Sequence, residues 1–249
     1  MAKIITITTP KGGVGKTTIA YYLADMYRQK GNVLVIDTDS QGNLTRFLLG
    51  GKELDDSNNF VRMFEGKKPS PVKINENLSL IGSNIKLAKY DSKSELNNFF
   101  LLSKYLKINQ DKYDYVIIDT PPNLGMFTLN ALLVTEYVVT VLDPSIDALE
   151  AQVILEEVMN DVRADHNEKI KLVGMILNTF DSRNKNDKDI YSMTKEKYPD
   201  SFIETVITRT TKVRDCRAEY KSILEAYPDN KVSVALQKIF KDINKRIGV

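Results

Sequence analysis

Thr9-Pro10-Lys11-Gly12-Gly13-Val14-Gly15-Lys16-Thr17-Thr18 is the stretch that decides how this chain is read. It follows an apolar run at residues 4–7 and precedes a helical pattern over 19–28. A glycine-rich turn between a buried strand and a helix start leaves backbone N–H groups pointing outward at the positive end of the helix dipole, an arrangement that suits a phosphate. Gly15-Lys16-Thr17 fits the end of the pattern G-x-x-x-x-G-K-[ST], while Pro10 stands where that pattern has its first glycine. A second lysine, Lys11, lies one residue further in, which gives K-G-G-V-G-K-T.

Working outward, two more strands deliver carboxylates. Val33-Leu34-Val35-Ile36 ends in Asp37-Thr38-Asp39-Ser40-Gln41-Gly42-Asn43, and Tyr115-Val116-Ile117-Ile118 ends in Asp119, followed by Thr120-Pro121-Pro122-Asn123-Leu124-Gly125. Ligands of open parallel sheets bind at such strand ends. Further strands are expected at 78–82, 137–142, 171–178 and 202–207. Helices are expected at 94–106, 148–162 and 232–247, with a polar turn into a helix at 182–189. Residues 50–71 read as a loop with one short helix, and Leu96, Phe99, Phe100, Leu102 and Leu106 read as a core stripe. Alternating strands and helices predict an α/β fold, a doubly wound and mostly parallel sheet with helices on both faces, in one domain over 1–249.

The double-lysine loop, the 37–43 turn and the 119–125 segment together resemble the ParA/MinD family of deviant Walker A ATPases, on the ParA side. Matches at 174–178 and 207–220 extend the resemblance over nearly the whole chain. It implies ATP and Mg²⁺ as cofactors. Backbone amides of Gly12, Gly13, Val14, Gly15, Lys16 and Thr17 would cradle the phosphates, with Lys16 reaching the β and γ oxygens and Thr18 the α-phosphate. The Thr17 hydroxyl, Asp119 and Asp37 would serve the metal. Asp39 would orient the attacking water, although Ser40 replaces the proline usual in that turn and is expected to loosen it. Lys11 would reach the nucleotide of a second subunit. Asn178 matches a position that reads the adenine edge, and Thr208-Arg209 matches the family's Pro-Arg in the loop beside adenine.

The partners this resemblance implies are a second copy bound on ATP, DNA without sequence preference, and a ParB-like protein that stimulates slow hydrolysis. No helix-turn-helix is expected before the first strand, so a second role as an operator-binding repressor is not expected. Candidate DNA contacts are Lys212, Arg214, Arg217 and Lys221, beside Arg209, with Lys238, Lys241, Lys245 and Arg246 on the closing helix. The alternative is a MinD-like, membrane-cycling regulator. It is disfavoured because the stripe Val232, Leu236, Ile239, Phe240, Ile243 and Ile247 reads as the buried side of a helix packed on the sheet rather than as a membrane anchor.

Composition narrows the classes further. With 249 residues, 42% hydrophobic and 27% charged, the chain has the make-up of an ordinary folded protein, and a net charge of +2 neither demands nor excludes a polyanionic partner. One cysteine, Cys216, leaves no intramolecular disulfide and too few thiolates for an iron–sulfur cluster. The single histidine, His166, sits in a polar stretch and is expected in solvent, so neither a Ser-His-Asp triad nor a Cys/His zinc site can be assembled. No leader or spanning segment is evident, and a cytoplasmic protein that joins the nucleoid when ATP-bound is expected.

Overall fold

The fold is that of a computed structural model, described here over residues 1–91 and 95–249. Seven strands form one sheet in the order β3-β4-β2-β5-β1-β6-β7: β1 Lys3–Thr8, β2 Val33–Asp37, β3 Val72–Asn75, β4 Leu78–Ile81, β5 Tyr115–Asp119, β6 Tyr137–Leu142 and β7 Lys171–Leu177. All neighbours are parallel except β3, which runs antiparallel along β4. The central strands are continuous runs of Val, Ile and Leu because both of their faces are covered, as parallel sheets require.

One face carries α1 Lys16–Tyr27, α2 Asn43–Leu48, α7 Lys212–Ala218, α8 Ile223–Ala226 and α9 Lys231–Ile247, which share a core cluster with Ile5, Ile7, Val35, Ile117 and Val139. The other face carries α3 Leu101–Asn109, α4 Met126–Leu132, α5 Ile146–Asp165 and α6 Lys185–Lys197 over Ile4, Ile36, Ile118, Val138 and Leu142. From β1 the chain winds outward to β2 on one side and later crosses from β5 to β6 on the other. The switch point therefore lies beside β1, where the glycine loop begins. The apolar side of α9 is buried at Val232, Leu236, Ile239, Ile243 and Ile247, with Phe240 only partly buried against the same cluster, and among the described residues no helix is long and apolar enough to cross a membrane.

Four readings need correction. Residues 202–207 do not form a strand. The segment runs beside β7 with only the isolated bridges Met175–Phe202 and Phe180–Thr208, and the Phe202 carbonyl accepts instead from the Arg246 guanidinium, 2.7 Å away. Ser94, the expected start of a helix, lies outside the described residues. Leu96–Phe100 is a 3-10 turn ahead of α3, and Leu96 is 76% exposed, so the core stripe reduces to Leu102 and Leu106 with partly buried Phe99. The 50–71 region contains two 3-10 turns, Asp56–Asn58 and Phe60–Glu65, and the second buries Phe60, Val61 and Met63. Those three residues belong to the core on the α3–α4 face. Finally, β3 was not anticipated, because its residues are half-exposed and show no continuous apolar run.

Candidate active site

β1 ends at Thr8 and α1 begins at Lys16, so residues 9–15 must turn back over the sheet edge. Two glycines make that turn: Gly13 has φ 75° and Gly15 φ 104°, conformations that L side chains rarely adopt. At Gly15 a Cβ would also lie 2.5 Å from the Asn178 amide nitrogen. That amide donates to the Val14 carbonyl at 2.7 Å, and its oxygen accepts from the Thr179 N–H at 2.9 Å. Asn178 thus braces the loop from β7, at the entrance of a cleft of about 220 Å³ lined by Thr18, Thr208, Arg209, Arg214 and Arg217. The positions expected to flank a base are therefore assembled next to the phosphate loop, although 202–207 is not a strand.

The two lysines of the loop are held differently. Lys16 is 7% exposed and its ammonium donates to the carbonyls of Thr9 (3.0 Å) and Lys11 (2.8 Å). Burial lowers its pKa, while the negative charges of Asp119 and Asp39 oppose that shift. Lys11 reaches across to the end of β6 and donates to both oxygens of Asp143 (2.9 and 3.0 Å) and to the Ser145 hydroxyl (2.8 Å). Ser145 is also the N-cap of α5, accepting from the Ala148 N–H. Asp143 and Ser145 were not singled out from the sequence. The one signal available was an Asp-Pro-Ser run at a strand end ahead of a helix, and nothing local ties it to a lysine 132 positions away.

Asp37 and Asp119 are register partners at the ends of β2 and β5, and both are buried. Asp37 has donors on each oxygen: the Asp39 N–H on Oδ1 at 3.1 Å, and the Thr45 N–H and hydroxyl on Oδ2 at 2.9 and 2.7 Å. Burial nonetheless pushes its pKa up to about 6, the Thr45 bonds pulling the other way. Asp119 has no hydrogen-bond partner on either oxygen. Burial first, and then the Asp37 charge, push its pKa well above the usual carboxylate range. The Thr17 hydroxyl and Lys16 ammonium act against that shift without completing a hydrogen bond. A buried carboxylate with its full accepting capacity, next to a threonine hydroxyl at a helix start, fits a hard divalent cation. Among the described residues no three His, Cys, Asp or Glu side chains are placed to hold a metal ion by themselves, and Mg²⁺ needs no such group, since it takes few protein ligands beside water and phosphate oxygens.

Asp39 is half-buried at the mouth of the site, and its Oδ1 accepts from the Gln41 N–H at 2.9 Å. The turn carrying it is tighter than Ser40 suggested. Gly42 donates to the Asp39 carbonyl at 2.9 Å, and a Cβ on Gly42 would lie 2.5 Å from the Ser83 carbonyl oxygen. On the far side of the loop, a Cβ on Gly12 would only reach ordinary contact, 3.7 Å, with the Pro122 side chain in the segment after β5.

The candidate basic residues separate into three groups. Lys221 pairs with Glu219 at 2.8 Å, and the Lys212 ammonium lies 4.0 Å from the Tyr227 ring centroid. Arg209, Arg214 and Arg217 are exposed and line the nucleoside-sized cleft. Arg246 is half-buried and donates to the carbonyls of Val173 and Phe202, which removes it from the set of surface cations.

A glycine cradle at a helix start, the motif lysine Lys16 folded over it and an unpartnered carboxylate at the adjoining strand tip define a P-loop nucleotide-binding protein. A family model described as "AAA domain" matches residues 2–172. The chain is 30% identical to the sporulation initiation inhibitor protein Soj of Bacillus subtilis, covering all of this chain and 99% of Soj. It is 34% identical to an uncharacterized protein of Methanocaldococcus jannaschii, over 95% of this chain and 96% of that one. The crystal structure of a plasmid partition protein of Borrelia burgdorferi, bound to AMPPNP, superposes with a TM-score of 0.84 at 26% identity, covering 99% and 100% of the two chains. The chain belongs to the ParA/MinD family of deviant Walker A ATPases and is Soj-like.

Proposed function

We propose that this protein is a partition ATPase that binds ATP with Mg²⁺, dimerises on it, holds DNA without sequence preference in that state, and hydrolyses ATP slowly until a ParB-like partner accelerates the step. The observation that carries the reading is the pair of lysines in one cradle. Lys16 is fixed at the loop, while Lys11 is tied to groups outside it, on a half-exposed pair that can be exchanged for a negative charge on another subunit.

Phosphoryl transfer to water is mainly positioning and charge neutralisation. The amides of 12–17 hold the phosphate oxygens, and Lys16 neutralises charge as it shifts toward the leaving group. The Thr17 hydroxyl and Asp119 would hold Mg²⁺, which would supply further neutralisation of phosphate charge when bound. Asp39 keeps Oδ2 free to accept from the attacking water while Gln41 fixes Oδ1. Asp37 anchors that turn through Asp39 N–H and Thr45, so its part is to aim Asp39 as well as to stand beside the metal. Asn178, Thr208 and Arg209 border the base, and Lys212, Arg214, Arg217 and Lys221 supply phosphate contacts to DNA.

The test is light scattering of the purified protein with ATP, ADP and no nucleotide. It is paired with anisotropy titration of random duplex DNA and with vesicle sedimentation. An ATP-specific dimer that alone binds DNA and ignores vesicles supports the reading. A monomer in ATP, or ATP-dependent sedimentation with vesicles, overturns it in favour of another member of the same family.

A further inference from the structure

Two residues other than glycine hold a positive φ among the described residues: Thr179, which borders the cleft beside the phosphate loop, and Tyr220, at φ 55°, which does not. Tyr220 closes α7. The Lys221 N–H donates to the Cys216 carbonyl at 2.9 Å and the Tyr220 N–H to that of Arg217 at 3.2 Å, the two bonds of a Schellman cap. Such a cap favours glycine at the position Tyr220 fills, because a Cβ there crowds the backbone. Burial does not account for the tyrosine, whose residue is 43% exposed. Its ring lies on the far end of α2. A Cβ on Gly51 would stand 2.6 Å from the Tyr220 hydroxyl oxygen, and the Phe47 ring centroid is 6.2 Å from that of Tyr220. Gly50 and Gly51, at φ 60° and 80°, end α2 with bonds to the Phe47 and Arg46 carbonyls and leave room for the ring.

α2 is in turn tied to the carboxylates. It starts at Asn43, just beyond the Asp39 turn, and Thr45 in its first turn holds Asp37 through two hydrogen bonds. α1, which begins in the phosphate loop, packs Tyr21 edge-on against Phe47 at 4.3 Å. It also accepts the Ile223 N–H on the Tyr22 hydroxyl and the Ser222 hydroxyl on Asp25, both at 3.3 Å. The start of α8 is therefore pinned to α1, while the end of α7 rests on α2 through one ring. We propose that Tyr220 is a positioning residue that couples the Asp37–Asp39 turn to α7: a shift of the turn on nucleotide binding travels along α2 to the Tyr220 ring and re-aims Arg214 and Arg217. Both arginines lie on the helix that Tyr220 closes. A γ-phosphate at the cradle would meet a turn that ADP leaves untouched, the differential contact such a shift requires. A small, part-exposed contact suits this task, since elements that move are drawn from the weakly held parts of a fold. The proposal rests on the partition reading in taking DNA as what those arginines hold.

The first measurement is the factor by which ATP, compared with ADP, tightens binding of random duplex DNA in an anisotropy titration. Tyr220→Gly removes the ring and suits the backbone, so it should melt within a few degrees of wild type and keep its ATP dimer in light scattering, while the factor drops about tenfold. Tyr220→Phe keeps the ring and should hold the factor within about twofold of wild type. An unchanged factor in Tyr220→Gly overturns the proposal and leaves dimerisation as the whole link between ATP and DNA. It is equally overturned by a Tyr220→Phe protein that behaves like Tyr220→Gly, by loss of the ATP dimer in Tyr220→Gly, or by wild type that binds DNA alike with ATP and ADP. Should Tyr220→Gly lose its melting transition, Tyr220→Asn, which also tolerates this conformation, takes its place. The second measurement needs no DNA. The chain contains no tryptophan, so Tyr220→Trp places a single fluorophore at the contact. Its emission should shift with ATP and Mg²⁺, and with ADP should stay where the nucleotide-free protein has it. Identical emission in all three states overturns the coupling. Wild type that binds no DNA in any nucleotide state sinks the partition reading, and the fluorescence shift then decides this one alone.

Discussion

The two walls of the nucleotide cleft are built on different principles. On one side, Lys16 in the loop and the strand ends at Asp37 and Asp119 are buried, their charges held by backbone or kept out of water at a cost, and only Lys11 reaches out to a part-exposed side-chain partner. On the other, the segment from Ile207 to Tyr227 carries its charges outward, pairing them locally or leaving them in solvent. Buried charge tolerates few alternatives, so the first wall specifies chemistry narrowly. Exposed charge contributes little per contact and can be rearranged, so the second wall tunes binding.

The largest effects should come from the buried wall. Asp39→Ala removes the carboxylate proposed to orient the attacking water but leaves Lys16, Thr17 and the glycine cradle intact. ATP turnover is expected to fall by about 10² to 10⁴ with nucleotide affinity retained, as read by single-turnover hydrolysis beside a binding titration. Wild-type turnover in this variant would remove Asp39 from its assigned role. Lys11→Ala should keep ADP binding as a monomer and lose the ATP dimer, seen by light scattering. Its counterpart, Asp143→Ala, frees Lys11 from its present partner and should tighten ATP dimerisation. The Lys11–Asp143 pair is about a third exposed, and such pairs contribute about 0.2–1 kcal/mol, so a gain of up to about fivefold per subunit is expected. Dimerisation weakened by Asp143→Ala would show that the pair supports the dimer instead of competing with it.

How far the sequence went follows the same division. The cradle was legible because its function demands glycine at positive φ and a lysine and a threonine at fixed offsets, all within ten residues. The strand-tip aspartates were legible because a parallel strand buried on both faces leaves an unbroken apolar run with its end marked. What the sequence hid were pairings set by the third dimension. Lys11 meets Asp143 and Ser145 across the sheet, and Thr45 holds Asp37 through a turn whose serine argued for looseness. Residues 202–207 have a strand's composition, yet Arg246 from α9 claims a carbonyl that a ladder would need. Half-exposed β3 carries no pattern strong enough to tell it from loop.

A smaller effect tests whether burial at the first wall is costly. The pKa of Asp119 is raised in the folded state, and that of Asp37 is raised to about 6, so the native protein holds protons that the unfolded chain has released. The stability that these two carboxyl groups contribute to the nucleotide-free protein is therefore fully present below the ordinary value of 3.8. It falls as pH rises through about 6 for Asp37, and falls further as Asp119 ionises. Asp119→Asn should melt a few degrees above wild type at neutral pH, corresponding to about 1–2 kcal/mol, and should flatten the pH dependence in differential scanning calorimetry. Mg²⁺ with nucleotide should reverse the order, because a ligand at about a hundred times its dissociation constant adds about 2.7 kcal/mol to wild type alone. A variant less stable than wild type without nucleotide would mean that the Asp119 charge is compensated within the fold.

The smallest expected effect lies on the exposed wall and bears most directly on what that wall is for. Arg214 and Arg217 are candidates for DNA contact, yet they also line the cleft beside Thr18 and Asn178, so the same guanidinium groups stand near both polyanions. Two measurements on Arg214→Ala/Arg217→Ala separate these roles. Each phosphate contact on duplex DNA contributes about 0.9 to the slope of log affinity against log salt, so losing both arginines should lower that slope by about 1.8 per subunit if both touch DNA. Dissociation constants for ATP and ADP, taken without DNA, should then stay within about twofold of wild type, since an exposed charge beside a solvated ligand contributes well under 1 kcal/mol. An unchanged salt slope with nucleotide affinity down tenfold or more would assign both arginines to the nucleotide and move the DNA surface to Lys212, Lys221 and the exposed lysines of α9. A fall in both would show that one pair of side chains serves the two ligands, in which case nucleotide state and DNA affinity are coupled directly through α7.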